Sequence, residues 1–270
     1  MKNETVLNNF LCEGNFSHCS IFSGIGGFDL AAEWLGWDNV FQVEIDEWCR
    51  KVLAKNFPNT KRYADIKEFD GTEWENKITI LSGGFPCQPF STSGKQNGQN
   101  DSRYLFNEML RAIKSIKPKW IVAENVFGIT SPKFTETFQT ICTSLENIGY
   151  EVQPFIVPAT SLGANHNRCR VMFIAHSTSN GLQGWKLEQL WEEAQRGQIE
   201  ILDCPGKLKR DFLSTPKSFR ANDGLPGWMD RIRGLGNSVI PQFAFEFFSV
   251  IDFILTEEKK LLKTVTESSI

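Results

Sequence analysis

Apolar positions follow two alternating spacings along the first 180 residues of the chain. Six short runs rich in β-branched and aromatic residues predict strands, and four segments with apolar residues every three or four positions predict helices. The predicted strands are residues 18–22, 40–45, 78–82, 120–126, 152–157 and 170–175, and the helices are residues 28–35, 46–56, 103–116 and 135–148. This alternation predicts an α/β fold with a doubly wound, mostly parallel sheet and helices on both faces.

The pattern breaks between residues 177 and 222, where glycine and proline recur among polar residues. We interpret this segment as a small insert in a single domain formed by residues 1–176 and 223–270, which ends in a helix predicted at residues 243–262. Within the insert, residues 205–220 carry five basic residues against one acidic residue. A run of this kind is most often solvated surface, and a local phosphate-binding patch is the functional alternative.

The charge balance limits the kinds of partner that the whole surface can attract. The 270 residues include 29 Lys and Arg against 32 Asp and Glu, a formal net charge of -3, so a nucleic-acid site would have to be local. Apolar runs are too short for a membrane span, and the first ten residues do not resemble a signal peptide, so we expect a cytoplasmic protein without a membrane partner. Seven scattered cysteines without a C-x-x-C pair favour reduced thiols and no metal site.

A glycine-rich turn follows the first predicted strand. Residues 23–28 read Ser-Gly-Ile-Gly-Gly-Phe and lead into a helix, an arrangement that brings backbone N–H groups close to a ligand. Glu44, at the end of the second strand, stands where such folds place a carboxylate for ribose hydroxyls. Together they indicate a cofactor that carries a nucleoside, although a tight connection without a ligand would give the same turn. The spacing lacks G-x-G-x-x-G, which argues against a dinucleotide.

Cys87 lies in a loop after the third predicted strand, so it should project from the carboxyl edge of the sheet. Pro86 and Pro89 restrict the backbone around it, and the polar residues 96–102 predict a mobile lid. A thiol with an ordinary pKa of ~8.5 is mostly protonated at neutral pH. A nucleophile at this position would therefore need an activating environment.

Six short motifs occur in order along the chain. They are Phe22-Ser23-Gly24-x-Gly26-Gly27-Phe28, Ala64-Asp65-Ile66, Pro86-Cys87-Gln88 with Phe90-Ser91-x-Ser93-Gly94, Glu124-Asn125-Val126, Arg168-Cys169-Arg170 and Gly236-Asn237-Ser238-Val239. In this order they resemble the motifs of cytosine-C5 DNA methyltransferases, and the chain is similar to the short phage and mobile-element members of that family in particular. The resemblance covers all of the chain except about the first dozen residues and the insert.

The resemblance implies methyl transfer from S-adenosylmethionine to C5 of a cytosine flipped out of double-stranded DNA, with S-adenosylhomocysteine as product and no metal. Cys87 would add to C6 of the ring. Glu124 would supply a proton or hydrogen bond at N3, and we expect burial to keep its carboxyl protonated or nearly so. Arg168 would hold O2 of the base, and Arg170 would support the site from behind.

The same resemblance implies the residues around the cofactor and the DNA, with residues 177–222 as the target-recognition region. The cofactor residues are Phe22, Ser23, Gly24, Gly26, Gly27, Glu44, Ile45, Asp65, Ile66, Pro86, Asn237 and Ser238. The substrate residues are Gln88, Ser91, Ser93, Lys95 and Asn125. A bacterial or phage-encoded monomer is expected, with a cognate restriction endonuclease as a further partner.

The sequence departs from the family pattern at two places. His166 stands where the family has glutamine, and residues 220–233 replace its R-x-L-T-x-x-E element. His166 with Cys87 raises the alternative of a cysteine hydrolase, which would leave Glu124 and the glycine turn unexplained. Two further alternatives are a tRNA cytosine-C5 methyltransferase and a catalytically silent DNA-binding protein.

Overall fold

The computed structural model describes residues 16–86, 105–158, 169–180 and 239–267. Within these residues, strands and helices alternate along the chain. The strands are β1 (Ser17–Ile21), β2 (Asp38–Val43), β3 (Lys61–Tyr63), β4 (Ile80–Gly84), β5 (Trp120–Val126), β6 (Tyr150–Pro158) and β7 (Cys169–Ser177). The helices are α1 (Gly27–Trp34), α2 (Glu47–Asn56), α3 (Phe106–Ile116), α4 (Thr135–Glu146) and α5 (Pro241–Glu267).

All seven strands form one sheet in the order β3-β2-β1-β4-β5-β7-β6. The first five strands in this order pair in parallel, whereas β7 runs antiparallel to both β5 and β6. The prediction of a doubly wound, mostly parallel sheet is confirmed. Strand β3 was not predicted, because three residues give too little periodicity to identify a strand.

Side chains alternate between two buried faces along the central strands, as parallel strands covered on both sides require. In β5, Ile121 and Ala123 face α3 and α4, and Trp120 and Val122 face α1 and α5. Helices therefore cover both faces of the sheet, as predicted from the sequence.

Helix α5 begins two residues before the predicted segment and ends five residues after it. Trp37 Nε1 donates to Asp252 Oδ1 at 2.6 Å, and the Trp37 and Phe248 rings lie 4.8 Å apart. These contacts attach α5 to the connection that follows α1. None of the helices within the described residues is both long and apolar enough to cross a membrane.

The chain reverses its direction of winding between β1 and β4. Strands β2 and β3 lie on one side of β1, whereas β4 and β5 lie on the other side. Gly83 makes the β1–β4 contact possible, since a Cβ at this residue would lie 2.8 Å from the Ile21 carbonyl oxygen. Ligands of open α/β sheets bind at such a reversal, outside the carboxyl ends of the strands.

A buried polar network lies beneath the reversal and connects two ionisable residues. His18 Nδ1 lies 2.6 Å from Asn39 Oδ1 and His18 Nε2 lies 2.8 Å from Ser82 Oγ, while Asn39 Nδ2 donates to the Asp29 carbonyl at 2.9 Å. Because Asn39 uses its amide N–H for Asp29, its oxygen accepts from Nδ1–H of a neutral His18, and Nε2 accepts from Ser82. Burial lowers the pKa of His18 to about 4 and raises the pKa of Asp29 to about 6.

These two pKa shifts predict opposite effects of pH on stability. The stabilising effect of neutral His18 is lost as pH falls from 6.5 towards 4, whereas that of protonated Asp29 is lost as pH rises from 3.8 towards 6. Each shift corresponds to roughly 3 kcal/mol, so the two nearly cancel between pH 4 and 6. In urea unfolding, Asp29→Asn should become less stable as pH falls through this range, and His18→Gln should become more stable. Parallel pH profiles for the two variants would contradict the assignment.

Candidate active site

The strand reversal brings several of the predicted site residues to the carboxyl edge of the sheet. Residues 22–26 follow β1, Glu44 follows β2, Asp65 follows β3 and Pro86 follows β4. Glu124 forms the last residue pair between β5 and β4, where it lies opposite Gly84. The predicted cofactor and catalytic residues that the structure describes therefore share one edge.

The glycine turn has open space on one side and a packed helix on the other. A Cβ at Gly24 would have no neighbouring atom within 4 Å, so a ligand can approach the backbone there. Gly26 has φ +91°, and a Cβ would lie 2.5 Å from Cε2 of Phe57, the residue after α2. Phe22, at the start of the turn, also has a positive φ of 54°, a strained conformation for a residue with a side chain.

The carboxylate of Glu44 organises the turn from the neighbouring strand. Its Oε2 accepts from the Gly24 N–H at 2.7 Å and its Oε1 accepts from the Asp46 N–H at 2.8 Å. Each oxygen keeps a second lone pair that could accept from a ribose hydroxyl. Burial raises the pKa of Glu44 above its usual value, although both N–H groups oppose the shift. The adjacent Ile45 is 71% exposed, so its apolar side chain can contact a flat ligand.

Asp65 begins a compact turn that α3 holds in place. Asp65 Oδ1 accepts from the Lys67 N–H at 2.9 Å, and the carbonyl of Asp65 accepts from the Phe69 N–H at 3.1 Å. Arg111 of α3 donates to the carbonyls of Ile66 and Phe69 and forms an ion pair with Glu108. A planar guanidinium can span these acceptors in one geometry. Arg111 thus fixes the position of the Asp65 turn against α3.

Glu124 lies close to the end of β4. A Cβ at Gly84 would lie 3.3 Å from Glu124 Oε2 and 3.7 Å from Val239 Cγ2. The absence of a side chain at Gly84 therefore leaves room for the carboxylate beside the strand that leads to Cys87. Val239 directly follows Asn237-Ser238 in the sequence.

Arg170 of β7 forms an ion pair with Glu124. The distance from Arg170 Nε to Glu124 Oε1 is 2.5 Å, and both side chains are largely buried, with 16% and 12% exposed. A buried guanidinium at this distance stabilises the negative carboxylate. This arrangement runs against our expectation of a protonated Glu124. The prediction took account of the burial of Glu124 but not of Arg170, which lies on the antiparallel neighbour β7.

Asn125 connects the same strand to the segment before Cys87. Its Nδ2 donates to the Phe85 carbonyl at 3.3 Å, and its Oδ1 accepts from the Val126 N–H at 2.9 Å. The side chain is fully buried, so these contacts are shielded from water. Asn125 therefore restrains the backbone at Phe85, two residues before Cys87.

Several predicted residues lie outside the described residues: Cys87, Gln88, Ser91, Ser93, Lys95, His166, Arg168, Asn237, Ser238 and the insert from residue 181 to residue 222. In the sequence, Cys87 comes three residues after Gly84, the last residue of β4.

The described residues fit a nucleoside-bearing cofactor. The open backbone at Gly24, the lone pairs of Glu44 and the exposed Ile45 offer contacts for a ligand, a hydroxyl pair and an apolar ring. Among the described residues, no group of three or more His, Cys, Asp or Glu side chains is placed to hold a metal ion. Four cysteines in this part of the chain, Cys19, Cys49, Cys142 and Cys169, are free thiols.

The fold and this site together define a methyltransferase-type α/β protein. A solved structure with the same fold is described as a DNA modification methyltransferase encoded within a prophage of E. coli. The two chains share 28% identity with a TM-score of 0.55, over 65% of this chain and 50% of that chain.

Residues 16–207 match the family of C-5 cytosine-specific DNA methylases, and the chain belongs to this family. It is 36% identical to the type II methyltransferase M.HpaII of Haemophilus parainfluenzae, over 84% of this chain and 64% of that protein. It is 35% identical to M.Eco47II of Escherichia coli, over 75% of this chain and 50% of that protein. The chain thus spans about half to two thirds of the length of these relatives.

Two residues that shape the site were not predicted from the sequence. Arg111 lies on an amphipathic helix, where an arginine is usually a surface residue, and Asp29 lies in a first helical turn, where an acidic residue is common. The spacing of Asp29 among apolar residues on the buried face of α1 was the available signal. No comparable signal identified Arg111, because its partners are backbone carbonyls.

Replacement of Gly26 by alanine should destabilise the fold by more than the left-handed backbone conformation alone would, because the residue is tightly packed. Gly36 also has positive φ, at 72°, but a Cβ there would have no neighbour within 4 Å. Gly36→Ala should therefore cost only the left-handed conformation, about 1 kcal/mol. Gly26→Ala should cost roughly 1–3 kcal/mol more, because the new methyl group meets the Phe57 ring. Denaturant unfolding of both variants measures the difference, and equal losses would contradict it.

Proposed function

We propose that this protein transfers a methyl group from S-adenosylmethionine to C5 of a cytosine in double-stranded DNA, through a covalent adduct between Cys87 and C6 of the base. The observation that carries the proposal is the position of Glu124 against Gly84, at the end of the strand that leads to Cys87. The glycine turn and Glu44 lie on the same sheet edge. These positions support a site in which a nucleophile, a carboxylate and a nucleoside-bearing cofactor act together.

The chemistry requires a nucleophile because C5 of cytosine does not accept a methyl cation equivalent unaided. Addition of the Cys87 thiolate at C6 turns the C5–C6 bond into part of an enamine, which places electron density on C5. After C5 has accepted the methyl group, water takes the C5 proton and the Cys87 thiolate leaves C6, which restores the aromatic ring. When bound, S-adenosylmethionine supplies the methyl group as an electrophilic sulfonium.

Glu124 and Arg170 act on the opposite side of the ring. An ionised Glu124, held by Arg170, can accept a hydrogen bond from the 4-amino group of cytosine. Thymine has a carbonyl oxygen at this position, which the carboxylate would repel. As the thiolate adds, negative charge moves towards N3, and this step requires Glu124 to take up a proton from water when the base binds and to donate it to N3, which lowers the barrier. Arg168 is proposed to hold O2, and Arg170 to orient the carboxylate.

The remaining predicted roles form part of the same proposal. Glu44 would accept the ribose hydroxyls, Asp65 would lie near the adenine and Ile45 would contact its ring. Residues 177–222 would read the DNA, with the basic residues of 205–220 on phosphates. Gln88, Ser91, Ser93, Lys95 and Asn125 would line or support the pocket for the flipped base. The type II relatives support a cognate restriction endonuclease as a functional partner.

Cys87→Ser tests the nucleophile, with Cys142→Ser as the matched control. Burial raises the pKa of Cys142 to about 11, so this thiol stays protonated and unreactive. We expect Cys87→Ser to lose methyl transfer to duplex DNA by about 10³-fold or more, because serine is a far weaker nucleophile at neutral pH. Cys142→Ser should retain the activity. Radiolabelled methyl incorporation and bisulfite sequencing of DNA from expressing cells measure both variants.

Two outcomes would overturn the proposed function. Predominant labelling of tRNA over duplex DNA would assign the protein to RNA. Failure of the wild-type protein to form a covalent complex with 5-fluorocytosine DNA, with S-adenosylmethionine and DNA both bound, would indicate a protein that binds DNA without catalysis. Fluorine at C5 cannot leave as a proton does. An active enzyme should therefore remain covalently attached to this DNA through Cys87.

Glu124→Gln tests the carboxylate, with Glu151→Gln as the control. Glutamine keeps the size of the side chain but carries no transferable proton, so methyl transfer should fall by about 10²- to 10⁴-fold. Glu151 lies near the start of β6, 3.2 Å from His176 and far along the strand from the carboxyl edge, so its neutral variant should remain active. Single-turnover rates with saturating DNA give the comparison. Equal rates for the two variants would exclude Glu124 from the chemistry.

A further inference from the structure

Asp29 lies directly behind the glycine turn and is fully buried. Ser20 Oγ of β1 lies 2.9 Å from each oxygen of the Asp29 carboxylate and 2.7 Å from Ser23 Oγ. Gln42 Nε2 of β2 donates to Asp29 Oδ1 at 3.0 Å. The first turn of α1 is thereby connected to the strands on which the glycine turn rests.

Ser23 carries this connection into the turn itself. Its N–H donates to the Val43 carbonyl at 3.1 Å, and its own carbonyl accepts from the Gly26 N–H at 3.0 Å. The next residue, Gly24, donates to Glu44 at 2.7 Å. A displacement of Ser23 would therefore move both the open face of the turn and the carboxylate proposed to bind ribose.

The charge of Asp29 determines where the Ser20 hydrogen goes. Ser20 has one hydroxyl hydrogen for three acceptors within 2.9 Å, the two oxygens of Asp29 and Ser23 Oγ. An ionised carboxylate is the strongest of these acceptors and holds the hydrogen. A neutral side chain at position 29 would instead release that hydrogen to Ser23. With an ionised Asp29, the Ser23 hydroxyl can donate to Ser20 Oγ, whereas with a neutral side chain Ser20 donates to Ser23, so the two charge states give different hydrogen-bond patterns at the turn.

Keeping this carboxylate ionised destabilises the fold. Burial raises its pKa to about 6, so at neutral pH the charged form exists at a cost in folding free energy. Gln42 Oε1, in the same network, is buried without a hydrogen-bond partner. A neutral residue would serve stability better, and costs of this kind are typical of positions that serve function.

We propose that Asp29 is a positioning residue for the cofactor, whose buried carboxylate acts through Ser20 and Ser23 to hold the glycine turn in the form that binds S-adenosylmethionine. This inference rests on the proposed function, since it assumes that the turn binds this cofactor. Asp29 contacts the turn through other side chains and takes no part in the transfer itself.

Asp29→Asn tests the proposal through two measurements that should move in opposite directions. At pH 7.5 the variant should unfold at a higher denaturant concentration than wild type, because the cost of a buried charge is removed. Its dissociation constant for S-adenosylhomocysteine in calorimetry should rise about tenfold, the equivalent of one lost hydrogen bond. A residue that serves the fold alone would not weaken binding while stabilising the protein.

Glu33→Gln is the matched control, since it removes the same charge from the exposed face of the same helix. It should leave both measurements unchanged. Ser20→Ala should weaken S-adenosylhomocysteine binding to a similar extent, and the double variant Ser20→Ala with Asp29→Asn should be no weaker than the weaker single variant, because both act along one connection. Fully additive losses would show independent effects and overturn the proposal.

The pH dependence of binding provides a third readout. Wild-type affinity for S-adenosylhomocysteine should fall as pH is lowered through about 6, and Asp29→Asn should lack this step. The other titratable groups that face the network are Cys19 and His18 on β1 and Glu44 beyond the turn. Cys19 has its pKa raised and stays protonated, His18 titrates near pH 4, and Glu44 is common to both proteins.

Failure of this inference is distinct from failure of the proposed function. If wild type binds S-adenosylhomocysteine and Asp29→Asn binds it equally well, only the role of Asp29 is refuted. If wild type binds neither S-adenosylmethionine nor S-adenosylhomocysteine, the proposed function is refuted with it. A loss confined to S-adenosylmethionine would indicate direct attraction of its sulfonium charge and would also overturn the positioning role.

Discussion

The close parallel pairing of β1 with β4 is the constraint on which the rest of the site depends. Gly83 permits this pairing, since any side chain there would collide with the backbone of β1. Because the chain winds away from this pair in both directions, two loops emerge side by side without crossing each other. The glycine turn leaves from one strand and the segment leading to Cys87 leaves from the other. The closeness of the glycine turn to the end of β4 follows from strand order before any side chain is considered.

The buried ionisable groups near this pair of strands differ in whether they carry a charge and in whether that charge is paired. His18 is buried in its neutral form with both ring nitrogens paired, which the fold tolerates at neutral pH. Asp29, which Asn39 connects to His18, is buried and carries its charge at neutral pH at a cost in folding free energy. The Glu124–Arg170 pair lies at the opposite side of the reversal and keeps its charges matched. His18 thus avoids a buried charge, Asp29 carries one, and Glu124 has its charge matched by Arg170.

Periodicity predicted most of the fold because both faces of the sheet are covered by amphipathic helices. Strand β5 was predicted with its observed bounds, since its seven residues are apolar on both faces until Glu124. Strand β3 was missed because its stability comes from pairing with β2 and from the Tyr63–Phe69 ring contact, which are not local in sequence. The motifs identified the edge residues, but the ion pair of Glu124 depends on an antiparallel register that spacing does not encode. The spacing of Asp29 on the buried face of α1 was an available signal of burial, but its partners come from β1 and β2 and could not be predicted from that spacing.

Arg111 has a consequence for the way in which the turn at Asp65 is held. It belongs to α3 and donates to two backbone carbonyls of that turn, so the turn is attached to a helix distant from it in sequence. The turn also follows β3, the neighbour of the strand that ends at Glu44. A shift of α3 along its axis would therefore move the Asp65 turn relative to Glu44, so the helix and the turn cannot be re-engineered separately.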